Sequence, residues 1–405
     1  MLQGKNKKLF KMTILIVAFL HMPTNAMGPV IYNIVENVFP DRTLAEVQTA
    51  LSFPNFVAPV VALIAAWLIT RGILTKKIAL CSGLCILGLS AVSIALFHTS
   101  FWHLYLSCIL LGVATGLFVS NAFGLMFDNF ENKEREAVAG YQTSCVNCGG
   151  ILLSLLGGIL GARLWYGGFL LLLLGFPVAL LSFFTVPNYR QEGGHAKSSK
   201  LRPRVFYYCA VVFVFMMLYV ACGQNISTHI GSGEMVARGV FGRQLPVSTM
   251  SGVTTAVQMA GGVIAGFFFG RISARLKDYI IVLAMCLMFI GFMILRSFPD
   301  SYPATIVAVL LVGVSISFTM PRCVFAVSTL VDETNSSRAT SIVTSLAPSL
   351  GGFLSPVIIT NITVALLGES TVSRYTFVGV LALILGAVVA VVTAVQKKRG
   401  TALKA

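Results

Sequence analysis

One arginine, Arg322, lies inside a long apolar stretch of the sequence, SISFTMPRCVFAV at 315–327. A guanidinium group stays charged in proteins, and its planar fork can bind a carboxylate or another oxyanion through two parallel hydrogen bonds. Phe318 and Phe325, four residues before and three after, share its face of a helix. We therefore expect Arg322 to bind the anionic group of a ligand, with these two rings beside it.

The carboxylates are expected to leave Arg322 without a counter-ion. All 14 Asp and Glu residues fall in polar stretches or at the ends of apolar runs. A charge at the centre of a bilayer costs about 2.5–3.5 kcal/mol even on the lenient insertion scale, so an unpaired Arg322 should face a water-filled cavity. In the alternative interpretation Arg322 is structural, and it hydrogen-bonds carbonyl groups of a helix broken at Pro321.

His21 is the corresponding residue of the first apolar run. It lies ten residues after Lys11, which is about 15 Å along a helix and near the middle of a bilayer. Its ordinary pKa is close to physiological pH, so His21 is a candidate for carrying a coupling proton. In the alternative, His21 is a neutral imidazole that is hydrogen-bonded in the cavity or in a kink next to Pro23. Glu36, near the outer end of this run, is the alternative proton carrier.

Neutral amides occur at a similar depth in three of the apolar runs. They either orient a bound solute or bridge helices, because polar pairs between helices are common in membranes and individually weak. These candidate binding residues are Asn25, Asn121, Gln224 and Asn225.

The elements that must position these residues are membrane helices. The chain is 57% hydrophobic and only 11% charged, whereas soluble proteins are about a quarter charged. Runs of about 20 apolar residues must be helical in lipid, where each backbone group needs an internal partner. The sequence predicts twelve such spans, at 10–35, 45–69, 78–97, 101–127, 137–160, 164–186, 205–229, 246–270, 278–296, 302–330, 339–366 and 373–395.

The net charge of +15 reflects membrane topology rather than nucleic-acid binding. With the N-terminus placed in the cytoplasm, 22 of the 29 Lys and Arg residues fall on the cytoplasmic side, and Arg374 is one of six in outer loops. This asymmetry is the positive-inside rule. It predicts a multi-pass protein of the cytoplasmic membrane with both termini in the cytoplasm.

The chain divides into two similar halves. A basic polar linker at 188–204 separates six spans in 1–187 from six spans in 205–405. Residues 110–129 align with 310–333, so that Gly112-Val113 matches Gly313-Val314 and Asn121 matches Arg322. An internal repeat of this kind predicts two pseudo-symmetric six-helix bundles.

This organisation resembles the major facilitator superfamily over nearly the whole chain. The family's loop signature survives in part as GFFFGRISARLK at 266–277, with Gly in place of Asp, while AWLITRGILTKK at 66–77 keeps only its basic residues. The resemblance implies an all-α fold of twelve transmembrane helices. It also implies that two bundles rock about a cavity lined by spans one, four, seven and ten.

Enzyme activity is not expected. The sequence has no phosphate-binding Gly-Lys loop for ATP and no Ser-His-Asp arrangement. The nine cysteines lie almost entirely within spans, and Cys145 and Cys148 lack the second pair that a zinc site needs. We expect no cofactor, no metal and no nucleic-acid partner, and a functional monomer in the lipid bilayer.

We therefore interpret the sequence as a secondary active transporter of a small amphipathic organic anion of the carboxylate type. Transport would proceed by alternating access, driven by a proton gradient or by counter-exchange. The alternative is a proton-coupled multidrug efflux antiporter, which the Gly-rich fifth span also fits. Relatives that expel cationic drugs tend to need a membrane-embedded acid, and that need favours the anion. A third possibility, a non-transporting sensor, lacks a domain to signal through.

Overall fold

The computed structural model describes residues 4–130, 132–189, 203–238, 244–330, 339, 342–368 and 370–398, and this part of the chain contains helices and no strands. The chain separates into two compact units, Met1–His195 and Ala196–Ala405. The boundary between them lies within the predicted linker, whose residues 190–202 are outside the described part.

The described part of the first unit contains seven helices. They are α1 (Gly4–Ala18), α2 (Pro23–Val38), α3 (Leu44–Thr70), α4 (Lys76–Leu96), α5 (Phe101–Asn129), α6 (Asn132–Gly161) and α7 (Gly167–Thr185). Their starts follow local chemistry: Thr43 caps α3 in a reciprocal pair of hydrogen bonds with Glu46, and the Thr75 hydroxyl accepts a hydrogen bond from a free N–H in the first turn of α4.

The second unit is built in the same way. Its described helices are α8 (Pro203–Ser232), the single turn α9 (Met235–Arg238), α10 (Val247–Leu276), α11 (Tyr279–Ser297), α12 (Tyr302–Leu330), α13 (Ile342–Leu367) and α14 (Thr371–Lys398). Gly368 adopts a φ of +82°, in the left-handed region that glycine tolerates, directly after α13 ends.

The span count agrees with the sequence prediction. Eleven helices of the described part are long and apolar enough to cross a membrane, and the bent pair α1 and α2 makes a twelfth. Each unit has its own core of buried aliphatic and aromatic side chains, and large apolar residues such as Trp102, Phe184 and Phe267 remain exposed on the outside. An apolar exterior is what lipid requires, so the fold is that of a multi-pass membrane protein.

The first span is broken rather than continuous. Asn6–Ala18 and Pro23–Val38 meet at an angle of 48°. Residues 19–21 tighten into turns in which each N–H donates to the carbonyl three residues earlier, and Pro23 and Pro29 supply no N–H at all. The sequence anticipated a kink at Pro23, and the structure places His21 in the break itself.

Close packing against α6 accommodates this break. The carbonyl oxygen of Ala26 lies directly against Gly157 of α6 and Gly168 of α7, and a Cβ atom at either glycine would collide with it. Glycine permits this approach of two backbones, as small residues do at other helix contacts in membranes.

We predict that Gly157→Ala destabilises the protein by about 1–3 kcal/mol, because the added methyl group overpacks rigid backbone at Ala26. Gly140→Ala on the same helix is the matched control, since nothing lies within 4 Å of its Cβ position. The control should be neutral or gain up to about 1 kcal/mol of helix propensity. Thermal unfolding in detergent measures both, and equal unfolding temperatures for the two variants would contradict the prediction.

Candidate functional site

A buried ion pair dominates the second unit. Arg322 of α12 donates from Nε to Asp278 Oδ1 at 2.7 Å. Tyr208 of α8 donates its hydroxyl to the other carboxylate oxygen, Oδ2, at 3.0 Å. Arg322 and Asp278 are 2% and 6% exposed. A charge pair that is buried and further hydrogen-bonded joins three segments that are far apart in sequence.

The chain positions Asp278 by an abrupt turn between two helices. α10 ends at Leu276, Lys277 adopts a left-handed φ of 51°, and α11 begins at Tyr279. Asp278 lies between Lys277 and α11, and its carboxylate bonds α12 and α8. The left-handed conformation at a lysine costs about 1–3 kcal/mol.

This pair corrects two expectations from the sequence. Arg322 has a counter-ion, because Asp278 lies at the end of a span as predicted but is buried there. Arg322 also lies nearer the membrane boundary than the midplane: α11 has 19 residues, about 28 Å in length, so it only just crosses a bilayer core and Asp278 marks its end. The sequence predicts a depth like that of His21, because Arg322 lies ten residues before Asp332, but Asp332 is outside the described residues.

Arg322 retains a free donor edge despite the pair. Its Nη2 atom is buried and makes no hydrogen bond within the described part of the chain. The guanidinium carbon lies 5.3 Å from the centre of the Phe325 ring, in a cation–π contact, and Phe318 is buried nearby on the same helix. The donation goes to a carboxylate, whereas the structural alternative placed it on carbonyl groups beside Pro321.

A second buried polar cluster joins α8 to α14. Asn225 accepts a hydrogen bond from Arg374 Nη1 at 2.8 Å and donates to Ala221 O of its own helix. The His229 ring, one turn further along α8, packs edge-on against Tyr375, with 5.1 Å between ring centres. Arg374, counted with the outer loops from the sequence although the predicted span begins at 373, lies in the first turn of α14 and is buried, with 2% exposed.

His21 lies among aromatic side chains in the first unit. Its ring centre is 5.7 Å from that of Phe118 and 5.3 Å from that of Phe123, both on α5. The Nε2 atom is buried and has no hydrogen-bond partner in the described residues. The break between α1 and α2 thus directs an imidazole toward the fourth predicted span.

The remaining candidate residues have local partners. The Asn25 amide donates to Met22 Sδ at 3.8 Å, and the Asn121 amide donates to Leu117 O, one turn earlier on α5, at 2.6 Å. Glu36 is exposed in the last turn of α2, and Gln224 is half-buried on α8 beside Asn225. The described contacts bring Asn225 together with Arg374, and His21 together with α5.

The sequence profile of the Major Facilitator Superfamily matches residues 13–356. This is most of the chain, and it includes the break of the first span, the turn at Asp278 and Arg322. The chain belongs to this superfamily. No curated protein matches the sequence closely enough to narrow the family further.

Several transporters of known structure share the fold of this protein at low sequence identity. The POT family transporter PepTSo has a TM-score of 0.76 at 10% identity, with 96% of this chain and 98% of the other covered. A mutant of the nucleoside transporter NupG gives 0.77 at 12%, covering 94% and 99%. A bacterial homologue of the human lysosomal transporter Spinster gives 0.71 at 14%, covering 96% of both. These likenesses show a common fold, and together with the family they indicate a membrane transporter rather than an enzyme.

Sequence reasoning missed Asp278, Tyr208, His229 and Arg374. A signal existed for two of them, because His229 follows Asn225 by one helical turn, and Tyr208 is the second of two adjacent tyrosines at the start of its span. No pattern in the transporter's sequence linked Asp278 to Arg322. Among the described residues, no group of His, Cys, Asp and Glu is arranged to hold a metal ion.

We predict that Asp278→Asn and Arg322→Gln each lower the free energy of unfolding by about 3–5 kcal/mol, because either change leaves a buried charge without its partner. The double variant should lose less than the sum of the two. Lys76→Gln is the control, since it removes a pair with Asp128 that is more accessible to solvent, and it should cost about 0–1 kcal/mol. Thermal unfolding of the four variants and the wild type measures this, and additive losses would exclude a coupled pair.

Proposed function

We propose that this transporter is a secondary active transporter of a small amphipathic organic anion, and that Arg322 binds the anionic group. The observation that carries the proposal is the free edge of the guanidinium: Nε is engaged by Asp278 while the buried Nη2 is not bonded within the described residues. A buried donor without an acceptor costs about 1–3 kcal/mol, or more when charged. A carboxylate bound at this edge would recover that energy.

Asp278 is the internal competitor at this site. A solute carboxylate that bonds Arg322 competes with Asp278 for the same cation. Phe325 and Phe318 would contact the apolar part of an amphipathic solute. The amides that remain candidate contacts elsewhere in the protein are Asn25, Asn121, Gln224 and Asn225.

The multidrug alternative gains one specific observation. The sequence offered no embedded acid that could attract a cationic drug, yet Asp278 is a buried carboxylate. A cation would then compete with Arg322 for Asp278, so the two solute classes make opposite use of the same pair. The charge of the ligand that separates Asp278 from Arg322 therefore distinguishes the anion proposal from the multidrug alternative.

We expect a panel of organic acids to stabilise the purified protein against heat, and Arg322→Gln to abolish that stabilisation because it removes the anion's partner. Asp278→Asn should preserve or strengthen binding of the acid, since the internal competitor is gone. Arg271→Gln, an exposed arginine in the same unit, is the control and should behave as wild type. Stabilisation by cationic drugs that Asp278→Asn abolishes, with no response to any acid, would replace the anion proposal by the multidrug one.

Proton coupling is proposed to use His21, with Glu36 as the second candidate. The His21→Gln variant in liposomes should lose uptake driven by a pH gradient and keep solute exchange, because exchange needs no net proton movement. His103→Gln is the matched control: its ring also stacks on an aromatic residue, Phe97, and its Nδ1 is also buried and unbonded in the described part. If gradient-driven uptake persists in His21→Gln and fails in Glu36→Gln, the proton carrier is Glu36.

The proposed setting is the cytoplasmic membrane, with both termini in the cytoplasm, and the proposed functional unit is a monomer that works by alternating access. The distribution of Lys and Arg supports this orientation. In this orientation Asp278 and Arg322 lie at the cytoplasmic side, since they are at the same end of the second unit as the start of α8.

A further inference from the structure

The first unit contains a charge cluster that matches the one around Asp278. Lys76, the first residue of α4, donates to Asp128 Oδ2 near the end of α5 at 2.7 Å. Tyr189, just after α7, donates its hydroxyl to the same carboxylate oxygen at 2.7 Å, and Asn129 donates to the Tyr189 oxygen at 3.3 Å. Burial and the hydrogen bond to Asp128 raise the pKa of Tyr189, so its hydroxyl remains a donor.

The two clusters share one plan with the charges exchanged. In each unit the third predicted span begins at the cluster and the fourth contributes the other charge. The first unit has the cation on α4 and the acid on α5, whereas the second has the acid before α11 and the cation on α12. In both, a tyrosine hydroxyl from a third segment bonds the acid. In the sequence the two tyrosines stand near either end of the polar stretch 188–204.

We propose that Tyr189 and Tyr208 are positioning residues that hold the carboxylates of Asp128 and Asp278 against their cations, and so control how often this end of each unit opens. Each carboxylate has two oxygen atoms and can rotate between partners. The hydroxyl restricts that rotation. Tyr208 occupies Oδ2 of Asp278 and leaves Oδ1 for Arg322. Tyr189 and Lys76 instead hold the same oxygen, Oδ2, of Asp128. Hydrogen bonds to charged groups are about twice as strong as neutral ones, which suits them to this role.

Tyr207 provides a matched control for Tyr208. The two residues are adjacent on α8, with ring centres 5.1 Å apart, and both lie close enough to Asp278 to feel its charge. The Tyr207 hydroxyl is buried but makes no hydrogen bond in the described residues. Tyr207→Phe and Tyr208→Phe therefore each remove one buried hydroxyl group, but only Tyr208→Phe removes a hydrogen bond to Asp278.

Two native cysteines report opening of the cluster without any substrate. Cys323 follows Arg322 directly and is fully buried, and Cys222 is fully buried elsewhere in the same unit, on α8. Local opening around Asp278 exposes Cys323 alone, whereas unfolding of the unit exposes both. Alkylation of each thiol by N-ethylmaleimide, followed by peptide mass spectrometry, separates the two processes.

In Tyr208→Phe we expect Cys323 to be alkylated roughly tenfold faster, the change that corresponds to losing one hydrogen bond to a charged group, with Cys222 unchanged. Tyr207→Phe should match wild type. In an Asp278→Asn background, where Tyr208 can bond only a neutral amide oxygen, the effect of Tyr208→Phe should be smaller. Wild-type labelling of Cys323 in Tyr208→Phe, equal acceleration at Cys222, or an undiminished effect in the Asp278→Asn background would each overturn the proposal.

The role of Tyr189 in the first unit is tested by measuring the unfolding temperature. Tyr189→Phe should lower it in the wild-type background and lower it less in Asp128→Asn, while Tyr166→Phe, a ring stacked on His98, should have equal effects in both backgrounds. A last measurement rests on the transport function proposed above: in liposomes, both tyrosine variants should change the maximal rate and leave KM unaltered. If no transported solute is found, this measurement cannot be made, but the labelling result is unaffected. A changed KM with an unchanged maximal rate would contradict the positioning role of the two tyrosines.

Discussion

The free-energy cost of leaving a polar group without a partner in an apolar medium shapes this structure. It makes the spans helical, since only a helix satisfies its own backbone within one segment. It also explains where the regular pattern fails. At the break in the first span the backbone closes tight turns, and the Ala26 carbonyl is packed against two glycines. Irregular backbone is tolerated there because protein, not lipid, surrounds it.

The same cost determines how the chain carries its charges. Arg322 and Asp278 are each costly to bury alone, and together they form a neutral unit whose remaining oxygen is bonded by Tyr208. The pair of Lys76 and Asp128 keeps more contact with solvent and depends less on its partner. Two units with a common plan therefore differ in how far solvent reaches the charges of their clusters.

Much of the fold was predictable because it depends on local composition. The twelve apolar runs and the kink near Pro23 follow from residues adjacent in sequence. The site was predictable only in part. His21 and Arg322 were identified because a polar residue in an apolar run is conspicuous by itself. Asp278 was not, because a carboxylate at the end of a span looks solvated in the sequence, and Arg374 was assigned to a loop for the same reason.

The sequence by itself determined that this chain is a helical membrane protein of about twelve spans, since the length and apolarity of each segment decide whether it can cross a bilayer. Its likeness to the major facilitator superfamily added the expectation of transport. The tertiary structure decided which charges meet. Arg322 and Asp278 are 44 residues apart, and their contact depends on a one-residue reversal at Lys277 and on the packing of α12 beside α8. An ion pair is a property of two positions in space, and no single stretch of sequence contains it.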